Sequence, residues 1–282
     1  MPSMKRTIWI SLIFTCLFTF SVNAQQRISW LKNIHEANKI AVETGKPILL
    51  DFTADWCKPC QKMDKEFWTR ADVVELSSEF VCVKIDFDHS KNLVSTYRVR
   101  AIPTILMTDS WGLGLNFHVG FGAGSENQIV EKLGSIPKSF SEIKDASKLL
   151  KSNKNNLAAL AKIAEFYQQR KFYYQSNEYY NHLLKLETVP LQRENLLLNI
   201  GFNNLHVGLV DDATEIFERF HKEFPLSKQL DMALYGKFLA FEQRNAAENS
   251  GKVLSELKAK FPKSVYVSQA EQILQKIKPQ AK

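Results

Sequence analysis

Two cysteines separated by two residues, Cys57-Lys58-Pro59-Cys60, have the spacing best suited to chemistry in this 282-residue chain. The apolar run from Ile48 to Phe52 that precedes them indicates a strand, so we expect the pair where a strand leads into a helix. At a helix N-terminus the free backbone N–H groups and the helix dipole favour a thiolate over a thiol. A thiolate is the nucleophile of disulfide exchange. Cys60 lies about one helical turn from Cys57 and can therefore close a disulfide with it.

Two other readings of the pair are half of a zinc site and an inert structural disulfide. Structural zinc takes four ligands. The other cysteines, Cys16 and Cys82, are solitary, and no two histidines have the spacing of a ligand pair. The proline inside the motif and the strand before it favour a redox pair over both readings. The sequence therefore predicts redox chemistry that needs neither a metal nor an organic cofactor.

The residues around the pair resemble a known family. The stretch Leu50 to Cys60, LDFTADWCKPC, resembles the active-site segment of thioredoxins, and Tyr97 to Thr104, YRVRAIPT, resembles their cis-proline loop. The wording Ala-Asp-Trp-Cys and the acidic Asp64 are similar to the C-terminal periplasmic domain of the transmembrane disulfide reductase. The resemblance extends from about residue 33 to residue 133. It implies an α/β thioredoxin fold, with a mixed sheet flanked by helices, and protein thiol–disulfide oxidoreductase activity.

Two carboxylates are candidates for moving the proton of Cys60. Asp51 stands in an apolar strand, where burial should raise its pKa. The resemblance implies that it helps to deprotonate Cys60; the alternative is a structural residue bonded to backbone. In thioredoxins a lysine lies beside this aspartate, and we expect Cys82 at that position here, which would leave Asp51 without a compensating charge. Asp64, one turn beyond Cys60, is either a second proton acceptor or an exposed helix charge.

The remaining site residues are candidates for binding a substrate protein. Lys58 adds positive charge next to Cys57, and Pro59 belongs to the same motif. The resemblance implies that the Ile102–Pro103 bond is cis and that the backbone before Pro103 pairs with an extended substrate segment. The alternative is a proline that merely begins a strand. We expect Trp56 to shield the Cys57 thiolate and to line the docking surface.

Residues 1–24 indicate a secretory signal peptide. Lys5 and Arg6 precede the apolar run 8–20, and small residues at 22–24 provide a cleavage site. The apolar run is shorter than the roughly 20 residues that a membrane span needs, although an uncleaved anchor is an alternative. The sequence therefore predicts a periplasmic or secreted protein that does not span the membrane once the leader is cleaved. The full chain has a formal net charge of +7, and its basic residues are scattered among acidic ones, which argues against nucleic-acid binding.

The second half of the chain predicts helices only. Gly201, Ala213, Phe217, Phe220 and Pro225 follow an order that resembles a tetratricopeptide repeat. A segment that matches the same pattern less well precedes this repeat, and a still weaker match at 234–262 follows it. Residues 265–277 would form the capping helix that such arrays require. We therefore predict a signal peptide at 1–24, a thioredoxin-like domain at 25–135, a linker at 136–146 and tetratricopeptide-like helical repeats at 147–282.

An aromatic cluster in the first repeat is expected mainly to pack between helices, with a minority exposed for binding. Its members are Phe166, Tyr167, Phe172, Tyr173, Tyr174, Tyr179 and Tyr180.

Together these features predict an exported enzyme that reduces disulfides in client proteins through Cys57 and Cys60. It would be recharged by an upstream dithiol donor, such as a membrane reductase, and the helical repeats would bind a partner. One alternative is an interaction or chaperone-like protein in which the repeats dominate and the thioredoxin unit is a docking module. Another alternative is a net oxidase, in which the same residues would oxidise client thiols to disulfides.

Overall fold

The computed structural model describes residues 27–277 of the chain, so the predicted signal peptide lies outside the described residues. The first part contains four strands: β1 Ile48–Thr53, β2 Val81–Asp86, β3 Thr104–Thr108 and β4 Gly114–Val119. Five helices accompany them: α1 Ile34–Thr44, α2 Lys58–Glu66, α3 Ala71–Ser77, α4 Lys91–Thr96 and α5 Ser125–Gly134.

The four strands form one mixed sheet in the order β2-β1-β3-β4. Strand β1 is parallel to β2 and antiparallel to β3, and β3 is antiparallel to β4. One face packs against α2 and α5, and the other packs against α1 and α4. Because helices cover both faces, every residue of β1 except the last is buried, as the continuous apolar run predicts. The predicted mixed sheet with flanking helices is confirmed.

Three local features adjoin the main elements. Residues 73–76 belong to helix α3, which is separate from α2. Strand β3 begins at Thr104, directly after the cis Ile102–Pro103 bond, and Pro103 has no N–H to donate to a ladder. The N-cap of α5 is Gly124, which has a φ of +80°. Ser125 follows as the first helical residue, and its hydroxyl accepts a hydrogen bond from the Gly122 N–H at 2.9 Å.

The segment 136–146, predicted as a linker, packs against both parts of the chain. The Phe140 N–H donates to the Gly45 carbonyl at 2.7 Å, and the Phe140 ring lies 5.5 Å from that of Phe166. Ile143, in a short 3-10 turn, is also buried. The domain boundaries themselves stay a prediction.

From residue 144 onward the described chain is helical. Its helices are α6 Lys144–Ser152, α7 Leu157–Gln169, α8 Tyr173–Leu186, α9 Pro190–His206, α10 Val210–Glu223, α11 Leu230–Gln243, α12 Ala247–Lys260 and α13 Val265–Ile277. Connections of three to six residues fold consecutive helices back on each other. The predicted all-helical second half is confirmed. No helix among residues 27–277 is both long and apolar enough to cross a membrane.

The predicted aromatic cluster divides as expected. Phe166, Tyr167 and Tyr180 are buried between helices, whereas Tyr174 is exposed.

The helical part contacts the sheet at the turn between β3 and β4. Asp109, buried just after β3, accepts hydrogen bonds from the backbone N–H groups of Trp111 and Leu113. The Tyr167 hydroxyl of α7 donates to the other carboxylate oxygen at 2.5 Å. Burial raises the pKa of Asp109, while these donors oppose that shift. The helical part is thus attached at the end of β3 that lies farthest from Pro103.

Two glycines allow the helices to approach closely around Phe217. A Cβ atom at Gly236 in α11 would lie 2.2 Å from this buried ring, and one at Gly201 in α9 would lie 2.7 Å from it. Both distances are shorter than real Cβ contacts allow. Close packing therefore explains the small residue of the predicted repeat, Gly201, because the Phe217 ring of α10 inserts between Gly201 and Gly236.

We predict that Gly236→Ala destabilises the protein by about 1–3 kcal/mol, the usual cost of overpacking a core. The matched control is Gly251→Ala in α12, where nothing lies within 4 Å of the added methyl group. The control should stabilise the chain by about 0.5–1 kcal/mol, because alanine is the better helix residue. Urea unfolding followed by circular dichroism measures both changes, and equal effects would contradict this account of the packing.

Candidate active site

Cys57 is the residue at which the chain changes from the loop after β1 to helix α2. It is the N-cap of α2, with extended backbone angles, and its Sγ accepts a hydrogen bond from the Cys60 N–H at 3.2 Å. Pro59 stands in the first turn, where its missing N–H leaves no bond unmade. Cys57 and Cys60 are joined in a disulfide, with a Cα–Cα distance of 5.3 Å. The structure therefore represents the oxidised pair, placed at a helix N-terminus as the sequence predicts.

The cis-proline loop lies against this disulfide. The Ile102–Pro103 peptide bond is cis, and Ile102 packs against a small buried cluster of Ala54, Cys57 and Cys60. The Pro103 carbonyl accepts a bond from the Gly120 N–H at 2.8 Å, which connects the loop to the end of β4. Two segments more than 40 residues apart in sequence thus meet at the two sulfurs.

The other candidate binding residues surround the disulfide on its outer side. Trp56 is 63% exposed, and its indole N–H donates to Asp88 at 2.7 Å, which holds the ring in place. Lys58 and Pro59 are exposed. Cys57 is only 3% exposed in this oxidised state. The exposed surface around the buried disulfide is therefore partly apolar.

The lysine expected to be missing beside Asp51 is present. Strand register pairs Asp51 with Lys84 and pairs Leu49 with Cys82, and the Lys84 ammonium lies 3.1 Å from the Asp51 carboxylate. The prediction that Cys82 replaces the lysine, leaving Asp51 uncompensated, is therefore wrong. Its cause is a two-residue error in the assumed register, which keeps the same face of the strand because side chains alternate.

Lys84 binds a second carboxylate, that of Asp64 in α2. The chain thus forms a row of Asp51, Lys84 and Asp64 that leads from a fully buried carboxylate to a half-exposed one. Asp64 is accordingly an ion-pair partner of Lys84. A cavity of about 280 Å³ adjoins this row, and its lining includes Trp30 and Trp68.

Burial is the main cause of the electrostatic state of Asp51. It raises the pKa of this carboxyl from 3.8 to about 6, and Lys84 limits the shift. Burial opposes the charge of Lys84 as well, but Asp51 and Asp64 together raise its pKa above the ordinary value. Among the described residues, Asp51 Oδ1 and the Trp68 indole nitrogen are buried atoms without a hydrogen-bond partner. Asp51 can therefore change protonation near neutral pH.

Asp51 faces the helix that carries the dithiol. It shares a sheet face with Leu49, since the two alternate with Leu50, and Leu49 packs against Met63 of α2. In the described chain no direct hydrogen bond joins Asp51 or Asp64 to either sulfur. The structure brings Cys57, Cys60 and Ile102 into contact, and it places both carboxylates in a separate network around Lys84.

Cys82 is a free thiol in the core. Its Sγ lies 3.5 Å from the Ser77 carbonyl, and burial raises its pKa to about 12. Such a thiol is not nucleophilic near neutral pH. Residues 27–277 also contain no cluster of three or more His, Cys, Asp or Glu side chains able to hold a metal ion.

Sequence reasoning missed Lys84 and the two tryptophans beside it. Trp30 and Trp68 meet edge to face at 5.1 Å, and the Lys84 ammonium lies 5.1 Å from the Trp30 ring. A signal for Lys84 was available, because it is the one basic residue of strand β2 and lies on the same face as Cys82. No spacing in the sequence links Trp30 to this site.

Comparison with known proteins identifies similar chains. The family model described as thioredoxin-like matches residues 29–110. An H-type thioredoxin from Oryza sativa subsp. indica is 33% identical over 102 residues, which cover 36% of this chain and 80% of the rice protein. The thiol:disulfide interchange protein DsbD of Actinobacillus pleuropneumoniae is 28% identical over 117 residues, which are 40% of this chain and 20% of that protein.

Other matches are partial. The chain spans about half the length of the M-type chloroplastic thioredoxins it matches, 47% in Chlamydomonas reinhardtii and 48% in Zea mays. Among solved structures, a mutant thioredoxin from Halobacterium salinarum is 25% identical, with a TM-score of 0.31. That similarity covers 40% of this chain and 96% of the Halobacterium protein.

We predict that Asp51→Asn stabilises the protein more at pH 8 than at pH 4. The folded-state pKa of about 6 lies above the unfolded value of 3.8, so the wild type loses stability as pH rises between these values. The unfolded carboxyl is already about half ionised at pH 4, so the advantage of the variant should grow by about 2 kcal/mol between the two pH values, at about 1.4 kcal/mol per pKa unit. Urea unfolding of the oxidised protein at both pH values measures it.

The matched control is Asp55→Asn, which removes an exposed carboxylate near the same disulfide. It should change the free energy of unfolding by less than about 0.5 kcal/mol at either pH. An Asp51→Asn advantage of the same size at pH 4 and pH 8 would contradict the raised pKa.

Proposed function

The chain belongs to the thioredoxin family, and from that premise we propose that it reduces disulfide bonds in client proteins. The observation that carries the proposal is the Cys57–Cys60 pair at the N-terminus of α2, in contact with the cis-proline loop. The buried Asp51 and its partner Lys84 support the same chemistry from the neighbouring strands.

In the proposed reaction two electrons pass from the reduced pair to the client. The Cys57 thiolate attacks one sulfur of the client disulfide, which forms a mixed disulfide and releases the other client sulfur as a thiolate. Cys60 loses its proton and attacks the Cys57 sulfur, which releases the second client thiolate. The products are a client dithiol and the Cys57–Cys60 disulfide. A dithiol donor must then reduce this disulfide to complete the cycle.

Asp51 is proposed as the group that receives the Cys60 proton. Its pKa of about 6 makes the carboxylate a base near neutral pH, and it lies on the sheet face that α2 covers. The described structure contains no direct bond between Asp51 and Cys60, so the transfer would proceed through water. Lys84 and Asp64 would connect Asp51 with the adjoining cavity. In this scheme Asp64 is a positioning residue for Lys84.

The surface around the disulfide is proposed to hold the client. The backbone before Pro103 would pair with an extended client segment, since this mode of recognition needs only main-chain hydrogen bonds. Trp56 and Ile102 would provide apolar contact on either side of the scissile disulfide, and Lys58 would favour the thiolate of Cys57. We propose that these contacts confer little sequence preference.

Export, domain organisation and partner binding complete the proposal. A cleaved leader at 1–24 would deliver the protein to the periplasm or the exterior, where a membrane reductase could act as the upstream dithiol donor. The 28% identity to DsbD, a thiol:disulfide interchange protein, supports a place in such exchange. Residues 147–282 would act as tetratricopeptide-like repeats that bind a partner, joined to a redox domain at 25–135 by the segment 136–146.

We predict that Cys57→Ser abolishes the acceleration that the protein gives to the reduction of insulin disulfides by dithiothreitol, because the variant has no nucleophile to form the mixed disulfide and only the uncatalysed reaction remains. Cys60→Ser should also stop turnover, but it should accumulate a mixed disulfide between Cys57 and the client. The matched control is Cys82→Ser, which changes a buried thiol outside the reaction and should keep at least about half of the wild-type rate. Turbidity and non-reducing gels, followed by mass spectrometry, measure these outcomes.

Equal rates of insulin reduction with the wild type and with Cys57→Ser would exclude the proposed activity. They would favour an interaction protein in which the thioredoxin-like unit serves only as a docking module. A mixed disulfide formed by Cys82 in the Cys60→Ser protein would likewise contradict the assignment of the nucleophile.

A further inference from the structure

Four connections of the helical part lie along one edge. They are the ones that lead into α7, α9, α11 and α13, at residues 153–156, 187–189, 224–229 and 261–264. Consecutive helices are antiparallel, so every second connection is on the same side of the array. Packed helices are about 8–10 Å apart, and the four connections therefore form a row roughly 30 Å long.

Each connection on this edge exposes aliphatic side chains. Leu226 is 97% exposed and Leu191 61%, and the remaining exposed members of the row are Leu157, Val189 and Val265. Five of the twelve large apolar side chains that are exposed in the described chain lie here, at or within four residues of a helix start. A single exposed leucine needs no explanation, but exposed leucines or valines that recur at every connection of one edge do.

Lysines accompany these side chains at every connection. Lys154, Lys185, Lys228 and Lys263 are exposed, and none of them has an ion-pair partner among the described residues. Each lies two to four residues in sequence from an exposed leucine or valine of the row. We call this row of lysines and aliphatic side chains the Lys/Leu edge.

The acidic residues near the Lys/Leu edge are engaged elsewhere. Glu187 is buried and accepts hydrogen bonds from the N–H groups of Thr188 and Val189, in the connection before α9. Glu223 is paired with Arg193 and Arg219. Glu194 accepts hydrogen bonds from Ser227 and Gln229, and Asp231 accepts one from Ser264. None of these carboxylates is ion-paired with a lysine of the edge among the described residues.

The opposite edge differs in charge and lies nearer the sheet. Its connections, at 170–172, 207–209 and 244–246, contain two paired arginines, Arg170 with Glu142 and Arg244 with Asp211. They also contain one exposed lysine, Lys171, and two exposed aliphatic side chains, Val207 and Leu209. The helices that follow these connections begin with acidic residues, Asp211 and Asp212 in α10 and Glu248 in α12. Helix α7 begins at the Lys/Leu edge with Leu157 and contacts Asp109 of the sheet turn through Tyr167, ten residues later. That separation is roughly 15 Å along the helix. The Lys/Leu edge therefore points away from the part of the chain that carries the dithiol.

We propose that the Lys/Leu edge binds the surface of an anionic lipid membrane. The lysines would lie at the level of the acidic headgroups, and the leucines and valines would enter the boundary between headgroups and acyl chains. A row of separate exposed aliphatic side chains, with lysines between them, suits a deformable lipid surface. A protein interface, in contrast, has a compact, well-packed centre that is depleted of lysine. The dithiol would stay on the side facing away from the membrane.

The test is flotation of the full chain with vesicles of phosphatidylcholine alone or with about 30% phosphatidylglycerol. The charge variant carries Gln at the four lysines of the edge: Lys154, Lys185, Lys228 and Lys263. The apolar variant carries Leu191→Ser and Leu226→Ser. The control carries Gln at four exposed lysines elsewhere: Lys32, Lys39, Lys65 and Lys171. Residues 1–24 are common to every protein, so their contribution cancels. Circular dichroism and insulin reduction verify that each variant is folded.

We expect the wild type to prefer the anionic vesicles, and we expect this preference to weaken as ionic strength rises from about 0.05 to about 0.5 M. The charge variant should lose about tenfold or more of the partitioning, because each lysine near such a surface contributes measurably. The apolar variant should lose about threefold or more while it keeps the salt dependence. The control should remain within about twofold of the wild type.

Equal binding to neutral and anionic vesicles would overturn the proposal, as would a control that loses as much as the charge variant. An apolar variant that binds like the wild type would overturn insertion of the leucines. If the wild type ignores the anionic vesicles and the charge variant is impaired only in binding a soluble acidic protein, such as a polyglutamate-tagged carrier, the edge recognises proteins and the membrane proposal fails.

Discussion

The contact between the Cys57 sulfur and the N-terminus of α2 is the interaction on which the candidate site depends. A helix begins with backbone N–H groups that have no partner, and in this chain a sulfur accepts one of them. The burial of β1 fixes where that helix starts, because the strand leaves the sheet four residues before Cys57. The cis-proline loop then closes over the same sulfurs through Ile102. A negative charge on Cys57 would thus be stabilised by the fold itself.

The buried carboxylate of Asp51 is the second constraint, and it opposes stability. An ionised carboxylate without water would be costly, and the chain limits this cost with one lysine that also binds Asp64. Lys84 reaches solvent on one side and Asp51 on the other, so the network joins the core to the surface. The same burial that weakens the fold above pH 6 keeps a base available near the dithiol. Stability and reactivity are therefore coupled through one residue.

Much of this arrangement could be predicted from the sequence, for identifiable reasons. The strand before Cys57, the helix after it and the final helix at 265–277 follow from local patterns of apolar residues, and so their positions were predictable. The register between two strands is not encoded in a local pattern, so the sequence of β2 alone does not show which of its residues lies beside Asp51. Cys82 and Lys84 are on the same face of β2, and for this reason the sequence predicts Cys82 where the structure has Lys84. The hydrogen bond from Tyr167 to Asp109 joins residues that are 58 positions apart, and no sequence pattern predicts it.

The most direct test of the account is the rate at which iodoacetamide alkylates the reduced protein as a function of pH, with the modified residue identified by mass spectrometry. Cys57 should react first, and its rate should reach half of its maximum at least about one pH unit below the value of about 8.5 that an unperturbed cysteine shows. Cys82 should not react in the folded protein. If Cys57 instead follows the profile of a cysteine in a short unstructured peptide, the helix N-terminus does not stabilise its thiolate and the central claim is wrong.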